Sequence, residues 1–372
     1  MSADQKNRAA WIKQAQAHPF VVDEAPMPDP GEDLITIRVH ATAINPADSA
    51  IQRAGIIVEK YPAILGCDAA GIVTAVGSQV TGFEVGDKVA GFCDHTDLLC
   101  GRGTFQRFSN LRPALTAKIP DTISFEDASV LPAAMSTAAY GIFERSEGLA
   151  LPFPEAEMEI EGEGKGVEEG KVLLVWGGSS SVGSCAIQAA RAAGFRVAAT
   201  AGKGNLEYVR GLGAEWVVDY RSEGVVEEVV GMLRGCGFAG AFNSVMFEDT
   251  YGKCAEIAHQ LGGKQMVASI VPGMMPWKRD LPHGVRFGNS KRILPDAFEI
   301  SAEHFPDVSY EIRDSEVGPA IFKKWLPAAL ANESLKCKPD PVVVGTGLEY
   351  CQEACDRVAA GASAQKFVVV VP

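Results

Sequence analysis

The first chemical signal in the sequence is a turn rich in glycine and serine between a strand-like and a helix-like segment. The apolar run KVLLVW (171–176) leads into Gly177, Gly178 and Gly183, and a helical pattern follows. Glycine lets the backbone approach a phosphate, and a helix that begins near Val182 presents free N–H groups and a partial positive charge to a pyrophosphate. Because a strand–helix–strand pattern surrounds the turn, we predict a dinucleotide site, with a purely structural turn as the alternative.

The end of the second strand of this pattern indicates which dinucleotide binds. An NAD site has an acid there for the ribose 2′-hydroxyl, about 20 residues after the turn. Residues 196–206 (RVAATAGKGNL) contain no acid, and Lys203 lies about where a 2′-phosphate would sit. An ammonium attracts that phosphate, whereas a carboxylate would repel it. The sequence therefore predicts NADPH as the cofactor, with a solvated loop lysine as the alternative interpretation of Lys203.

Two kinds of scaffold must position these residues. The first ~120 residues contain short strand patterns bounded by glycine, such as LITIRVHATAI (34–44), which alternates apolar and polar positions like a half-buried strand. After the glycine turn, strands and helices alternate, which indicates a doubly wound parallel sheet. We therefore predict an α/β protein with a barrel-type β domain (1–124 and 335–372) and a dinucleotide-binding domain (125–334).

Two segments near the predicted domain boundaries have helical patterns that contain proline. Residues 125–145 (FEDASVLPAAMSTAAYGIFER) have helical periodicity, which predicts helical structure there. Residues 321–335 (IFKKWLPAALANESL) also look helical, but Pro327 must kink or split that helix.

Composition excludes several classes of function. The chain has 372 residues, of which 47% are hydrophobic and 22% charged, so it is not a disordered chain. Its net charge of −13 argues against nucleic acid or an anionic membrane as the main partner. We see no secretory signal and no apolar run near the ~20 residues that a membrane helix needs. The nine cysteines are odd in number and scattered, so we expect a reduced, cytoplasmic protein.

Six motifs follow one another along the chain: AINPADS (43–49), ILGCDAAGIV (64–73), VGDKVAGF (85–92), LPAAMSTAAYG (131–141), GGSSSVGSCAIQAA (177–190) and GLGAEWVVDY (211–220). As a series they resemble the zinc-independent branch of the medium-chain dehydrogenase/reductase superfamily, which includes quinone oxidoreductases. In overall style the chain looks most like the fungal trans-acting enoyl reductases that partner polyketide synthases. The resemblance implies a GroES-like barrel-type domain and a Rossmann domain.

The resemblance also implies two catalytic residues. Asn45 matches an asparagine that lies near the nicotinamide in quinone-reductase-like members. Thr137, together with Ser136, matches the position that forms hydrogen bonds around the nicotinamide amide. Without the resemblance, these residues would be interpreted as a turn asparagine and helix hydroxyls.

The same resemblance extends the predicted cofactor site. Lys203 and Tyr220 match residues that hold the 2′-phosphate, and Lys366 matches a lysine near the cofactor cleft; the alternatives are surface lysines and a core tyrosine. The predicted cofactor-binding residues are Asn45, Ser136, Thr137, Gly178, Ser179, Ser180, Ser181, Val182, Lys203, Tyr220, Ile270 and Lys366.

No metal site is expected. The zinc-dependent branch of the superfamily has an early catalytic Cys and a His–Glu pair after a glycine. Here the glycine is followed by Cys67 and Asp68, and the early position lies in NPADS without a cysteine. A catalytic zinc needs three protein ligands and a structural one needs four, yet only Cys93 and Cys100 lie where the structural lobe would be.

The proton donor cannot be assigned from a motif. Related reductases often have a Tyr or Lys five residues after the asparagine, and this chain has Ala50 there. Tyr61, His95 and Tyr140 are candidates because of their neighbourhood, although each also has a structural interpretation.

We therefore expect NADPH-dependent reduction of an activated C=C bond in an enoyl thioester, enone or enal, within fungal polyketide or secondary metabolism. The substrate would be a small molecule or carrier-bound, the partner a polyketide synthase, and the protein a monomer or a homodimer. The alternatives are a stand-alone quinone or enal oxidoreductase, and an NADPH-binding protein with a non-redox role, which the loss of a polar residue at Ala50 would permit.

Overall fold

A computed structural model of the chain forms two compact units. The first unit comprises Met1–Ser136 and Glu299–Pro372, and the second comprises Thr137–Phe298. The structure describes residues 6–93, 102–146, 148–155, 170–245, 248–270, 282, 284–287 and 316–372.

Strands and α-helices occur in both units and are numbered in chain order. The strands are β1 (Arg8–Ile12), β2 (Val21–Glu24), β3 (Ile35–Ala43), β4 (Ala63–Ile64), β5 (Asp68–Val76), β6 (Lys88–Phe92), β7 (Phe108–Leu111), β8 (Thr116–Lys118), β9 (Val172–Trp176), β10 (Arg196–Ala201), β11 (Trp216–Asp219), β12 (Phe238–Asn243), β13 (Met266–Ser269), β14 (Arg286–Phe287), β15 (Pro341–Thr346) and β16 (Lys366–Val370). The α-helices are α1 (Pro46–Ala54), α2 (Phe125–Ser129), α3 (Pro132–Phe143), α4 (Ser181–Ala192), α5 (Leu206–Gly211), α6 (Val225–Leu233), α7 (Glu248–Leu261), α8 (Leu326–Ala331) and α9 (Tyr350–Ala360).

The first unit is built on two sheets. A seven-stranded sheet has the order β15-β16-β3-β5-β6-β8, with β7 also paired to β3, and a three-stranded sheet has the order β2-β1-β4. The predicted half-buried pattern of residues 34–44 is wrong in one respect, because seven of the nine residues of β3 are buried. Strand β3 lies inside the sheet and α2 packs against it, so Thr36 and Thr42 are buried as well, while Arg38 and His40 stay partly exposed.

The second unit contains the predicted parallel sheet. Its six strands have the order β11-β10-β9-β12-β13-β14, and every pairing is parallel. The order reverses direction at β9, whose five residues are all buried. In such sheets a crevice forms at the carboxyl ends of the strands where the order reverses, and the glycine turn follows β9 at that point.

Both predicted proline-containing helices are interrupted. The helical pattern over 125–145 forms two helices, because α2 ends at Ser129 and α3 begins at Pro132, whose ring fits the first turn of a helix but not its interior. Around Pro327, a π-helical segment (Pro319–Trp325) gives way to α8, so the predicted split occurs there.

The boundaries between the two compact units differ from the domain boundaries that the sequence suggested. The expected domains placed residues 125–136 and 316–334 with the dinucleotide-binding sheet, whereas both segments belong to the first unit. Helix α2 packs against β3 and β5, and the π-helical segment Pro319–Trp325 packs against β8.

Candidate functional site

The glycine turn of the second unit has the geometry of a phosphate cradle. Gly177 follows β9 with a φ of +87°, which a side chain would strain. A Cβ atom on Gly183 would lie 2.3 Å from the Gly177 carbonyl oxygen, so the helix and the turn approach closely only because Gly183 lacks one. Ser180 caps α4, since its Oγ accepts the Gly183 N–H at 2.9 Å. The first N–H groups of α4 have no intrahelical acceptor, so this turn fits a pyrophosphate.

A serine at the end of the neighbouring strand braces the same turn. Ser244 follows β12, and its Oγ lies 2.8 Å from the Trp176 carbonyl oxygen and 2.9 Å from that of Gly177. It also lies 3.0 Å from the Oγ of Ser180. Sequence reasoning missed Ser244, because its position beside the turn depends on the pairing of β9 with β12.

The ends of the adjacent strands β10 and β11 form a cationic corner. Lys203 is exposed just beyond β10, and Tyr220 follows β11. The guanidinium of Arg221 lies 4.6 Å from the centroid of the Tyr220 ring, and a Cβ atom on Gly202 would lie 2.8 Å from Arg221 Nη1. Sequence reasoning missed Arg221, although its place directly after Tyr220 was a visible signal. Two cations and a phenol hydroxyl at one corner suit a phosphate.

Ile270 completes this edge of the second unit. It directly follows β13, and its N–H donates to the Asn243 carbonyl oxygen at 3.2 Å. The predicted residues of the second unit therefore share one edge, the carboxyl ends of the parallel strands. These residues are Gly178, Ser179, Ser180, Ser181, Val182, Lys203, Tyr220 and Ile270.

The first unit brings Asn45 and Lys366 together in a buried charge cluster. The ammonium of Lys366 lies 2.5 Å from Asn45 Oδ1 and 3.1 Å from Asp68 Oδ2. Asn45 Nδ2 donates to the same Asp68 oxygen at 2.8 Å. The side chain of Lys366 is 4% exposed and that of Asp68 is fully buried. The other oxygen of Asp68 accepts the Ala133 N–H at 2.6 Å, in the first turn of α3.

A second buried carboxyl group lies on the other side of Asn45. Asn45 precedes α1, and its backbone N–H donates to Asp48 Oδ2 at 2.8 Å, as in a capping box. The Cys67 thiol lies 3.5 Å from Asp48 Oδ1. Burial raises the pKa of Asp48 to about 6, and burial together with Asp48 raises the pKa of the Cys67 thiol. Asp68, Asp48 and Cys67 were not predicted as site residues, but the motifs NPADS and GCD contain them.

The remaining predicted residues lie in varied surroundings. Ser136 is 1% exposed and its Oγ has no hydrogen-bond partner among the described residues, and Thr137 follows it on α3. Among the proton-donor candidates, the Tyr61 hydroxyl is buried without a hydrogen-bond partner in the part of the chain that the structure describes, and desolvation raises its pKa. Tyr140 is buried in α3. His95 lies outside the described residues.

Two kinds of feature are absent from the described part of the chain. It contains no group of three or more His, Cys, Asp or Glu side chains arranged to hold a metal ion. None of its helices is both long enough and apolar enough to cross a membrane.

Comparison with known families supports the two-part division. Residues 31–121 match the model of the alcohol dehydrogenase GroES-like domain, and residues 181–287 match that of the zinc-binding dehydrogenase. These are the barrel-type and Rossmann-type domains that the sequence predicts, so the predicted fold class is confirmed.

Similar proteins cover the whole chain. The dehydrogenase pigH of Monascus ruber is 36% identical over 98% of this chain and 99% of its own length. The trans-enoyl reductase himH of Aspergillus japonicus is also 36% identical, over 98% of this chain and 97% of its own length. An alcohol dehydrogenase superfamily protein from Novosphingobium aromaticivorans has the same fold, with a TM-score of 0.74, 24% identity, and coverage of 98% of this chain and 100% of that one. The chain therefore belongs to the medium-chain dehydrogenase/reductase superfamily, whose oxidoreductases use a nicotinamide cofactor.

Proposed function

We propose that the chain is an NADPH-dependent reductase of an activated C=C bond in an enoyl thioester, an enone or an enal. The observation that carries the proposal is the cationic corner of Lys203, Tyr220 and Arg221, where an NAD site would have an acid. The full-length similarity to a trans-enoyl reductase supports the double bond as the reacting group.

Each part of the chain has a separate task in this proposal. When bound, the nicotinamide cofactor would supply a hydride to the β-carbon of the conjugated C=C bond, and water would supply the proton that the α-carbon takes up. The glycine turn holds its pyrophosphate, and the cationic corner holds its 2′-phosphate. Asn45 and Thr137 orient the reacting groups with hydrogen bonds, and positioning of two reactants is a large part of catalysis in such reactions.

We propose that this reduction needs no zinc. A conjugated carbonyl group accepts the charge that develops during reduction, provided that hydrogen-bond donors stabilise its oxygen. In the first unit, the ammonium of Lys366 already lies 3.1 Å from the Asp68 carboxylate, in the motif where the zinc-dependent branch has its His–Glu pair. The chain's own cation thus neutralises that carboxylate.

We further propose that the substrate is carried by a partner or is a small molecule of the same reactivity, and that the partner is a polyketide synthase. This proposal rests on the similarity to proteins described as trans-enoyl reductases. Both a monomer and a homodimer are compatible with it.

The test is single-turnover oxidation of NADPH, followed by its absorbance, with a panel of enoyl thioesters, enones, enals and free quinones. We expect oxidation with an enoyl thioester, faster with NADPH than with NADH, by a protein that elemental analysis finds free of zinc. Turnover of free quinones alone would favour a stand-alone quinone reductase. Tight NADPH binding with no acceptor reduced would favour a non-redox role, and stoichiometric zinc would overturn the metal-free mechanism.

A further inference from the structure

The buried charge cluster determines which way the Asn45 amide faces. Lys366 has only donors, so the atom of Asn45 that it contacts at 2.5 Å must be the carbonyl oxygen. The Asp68 carboxylate, which also accepts from Lys366 and from the Ala133 N–H, has only acceptors to offer. The atom of Asn45 that contacts Asp68 at 2.8 Å must therefore be the amide nitrogen. A flipped amide would place acceptor against acceptor and donor against donor.

One donor of Asn45 remains after these contacts. A side-chain amide nitrogen carries two N–H bonds, and Asp68 uses one of them. The described residues provide no acceptor for the other. Asn45 is half-buried, whereas Asp68 and Lys366 are buried, so the amide is the part of the cluster that a ligand can reach.

We infer that Asp68 and Lys366 are positioning residues that make Asn45 a hydrogen-bond donor to a carbonyl oxygen of the bound ligand. This inference rests on the proposed function, which supplies two such oxygens: the carbonyl of the substrate, where charge develops, and the carboxamide of the nicotinamide. Neither Asp68 nor Lys366 needs to touch the ligand in this arrangement. Their charges act by excluding the flipped amide.

A double-mutant cycle tests whether Asp68 acts through Asn45. We expect Asn45→Ala to lower kcat by about 100-fold, the usual effect of removing one donor to a developing oxyanion. Asp68→Asn should lower kcat by about 10-fold in the parent protein, because it removes one of the two charges that exclude the flipped Asn45 amide, and the new amide can pair with either orientation. In the Asn45→Ala background the same substitution should have no further effect on kcat.

Asp48→Asn is the matched control for this cycle. Asp48 is equally buried in the first unit, but it contacts the backbone N–H of Asn45 and not its amide. In the double variant, the fold-changes in kcat caused by Asp48→Asn and by Asn45→Ala should multiply. If Asp68→Asn were also multiplicative with Asn45→Ala, Asp68 would have a merely structural role and the inference would be overturned.

A measurement that needs no turnover keeps the inference testable if a variant fails to fold. In NMR spectra of the ¹⁵N-asparagine-labelled parent, Asn45→Asp identifies the two side-chain amide protons of Asn45 by their absence. We expect the chemical shift of one amide proton to change when the ligand is added, while that of the proton hydrogen-bonded to Asp68 stays constant. A shift with NADP⁺ alone identifies the carboxamide as the acceptor, and a shift only after addition of a saturated thioester identifies the substrate carbonyl. If neither amide proton of Asn45 changed its chemical shift in a protein that reduces enoyl thioesters, the inference would be overturned and the proposed function would stand.

Discussion

The carboxyl edge of the parallel sheet and the buried charge cluster both contain cations, but they hold them in opposite ways. Lys203 and Arg221 are exposed, and each lies within a few residues of a strand end. Lys366 is buried and contacts Asn45, which lies 321 residues away along the chain. Water solvates the exposed cations, so they remain available for an anionic ligand. The buried cation must be neutralised within the protein, because a buried unpaired charge is strongly unfavourable.

Exposed and buried cations therefore have different roles: the exposed ones attract a ligand, and the buried one positions its neighbours. A solvated cation can attract a phosphate when the ligand arrives and changes stability little without it. A cation that is already bonded to a carboxylate and an amide has less to offer a ligand, but it determines how those groups are oriented. Substitutions in the two regions should therefore affect different properties: ligand affinity at the sheet edge, and stability together with kcat in the cluster.

The largest expected effect is loss of stability after Lys366→Met. The substitution leaves the fully buried carboxylate of Asp68 without its counter-ion, and breaking a buried pair in this way typically removes about 3–5 kcal/mol. Urea denaturation of the parent and the variant measures the free energy of unfolding. Lys253→Met, on an i,i+4 surface pair with Asp249, should change it by less than about 0.5 kcal/mol. Equal losses of unfolding free energy in the two variants would contradict the distinction between buried and exposed cations.

Lys203→Ala should have the largest effect on cofactor affinity. A lost charge-assisted contact with the 2′-phosphate corresponds to about 1.5–3 kcal/mol of binding free energy for NADPH. NADH lacks that phosphate, so its affinity should hardly change. Isothermal titration calorimetry with both cofactors makes the comparison, and Lys171→Ala, at the amino end of β9, is the control. Equal weakening of NADPH and NADH would remove Lys203 from the 2′-phosphate site.

A smaller effect is expected in the pH dependence of stability. The folded pKa of Asp48 is raised to about 6, above its ordinary value of 3.8, so the folded state binds the proton more tightly than the unfolded state. This contribution to stability is therefore present at low pH and is lost as the pH rises through about 6. Between about pH 5 and 7.5 the loss is about 1 kcal/mol.

The neutral variant Asp48→Asn measures that contribution. Its free energy of unfolding should fall less than that of the parent over the same pH range, because the titrating carboxyl group is absent. The measurement is urea denaturation of both proteins at the two pH values. A parent and a variant with identical pH dependence would show that Asp48 does not titrate in this window.

The smallest expected effect is that of Arg221→Ala on NADPH affinity. An exposed cation that supports Lys203 should contribute about 0.5–1 kcal/mol, and only at low salt. The matched control is Arg196→Ala, because Arg196 stacks on Trp216 at 4.4 Å much as Arg221 stacks on Tyr220, but at the amino end of β10. Fluorescence titration with NADPH compares the two variants. If both weakened binding equally, the effect would be a change of net charge and not a site contact.

Local patterns were sufficient for the glycine turn and the Lys203 corner of the second unit. Strand β9, the glycine turn and α4 follow one another within about 20 residues, and the missing acid near Lys203 is visible directly in the sequence. Arg221 was missed although it follows a predicted residue, because only the stacking on Tyr220 shows that it joins the corner. Ser244 could not be found without the order of the strands.

Local patterns were insufficient for the first unit. Asn45 was predicted through the resemblance, but the capping box that it forms with Asp48 was interpreted only as a turn motif. The helical pattern over 125–145 did not show the break before Pro132, which divides it into α2 and α3 and places the Ala133 N–H against Asp68. The domain boundaries also differ, because packing of α2 on β3 outweighs its neighbourhood in the sequence.

By itself, the sequence determined the α/β class, the glycine turn and the absence of an acid after β10, because each depends on residues that are close along the chain. Only the tertiary structure decided that Asp68 and Lys366 hold the Asn45 amide and that Arg221 lies against Gly202, next to Lys203. Those contacts depend on which strands pair and on which charges are removed from water together, and neither property can be read from local spacing.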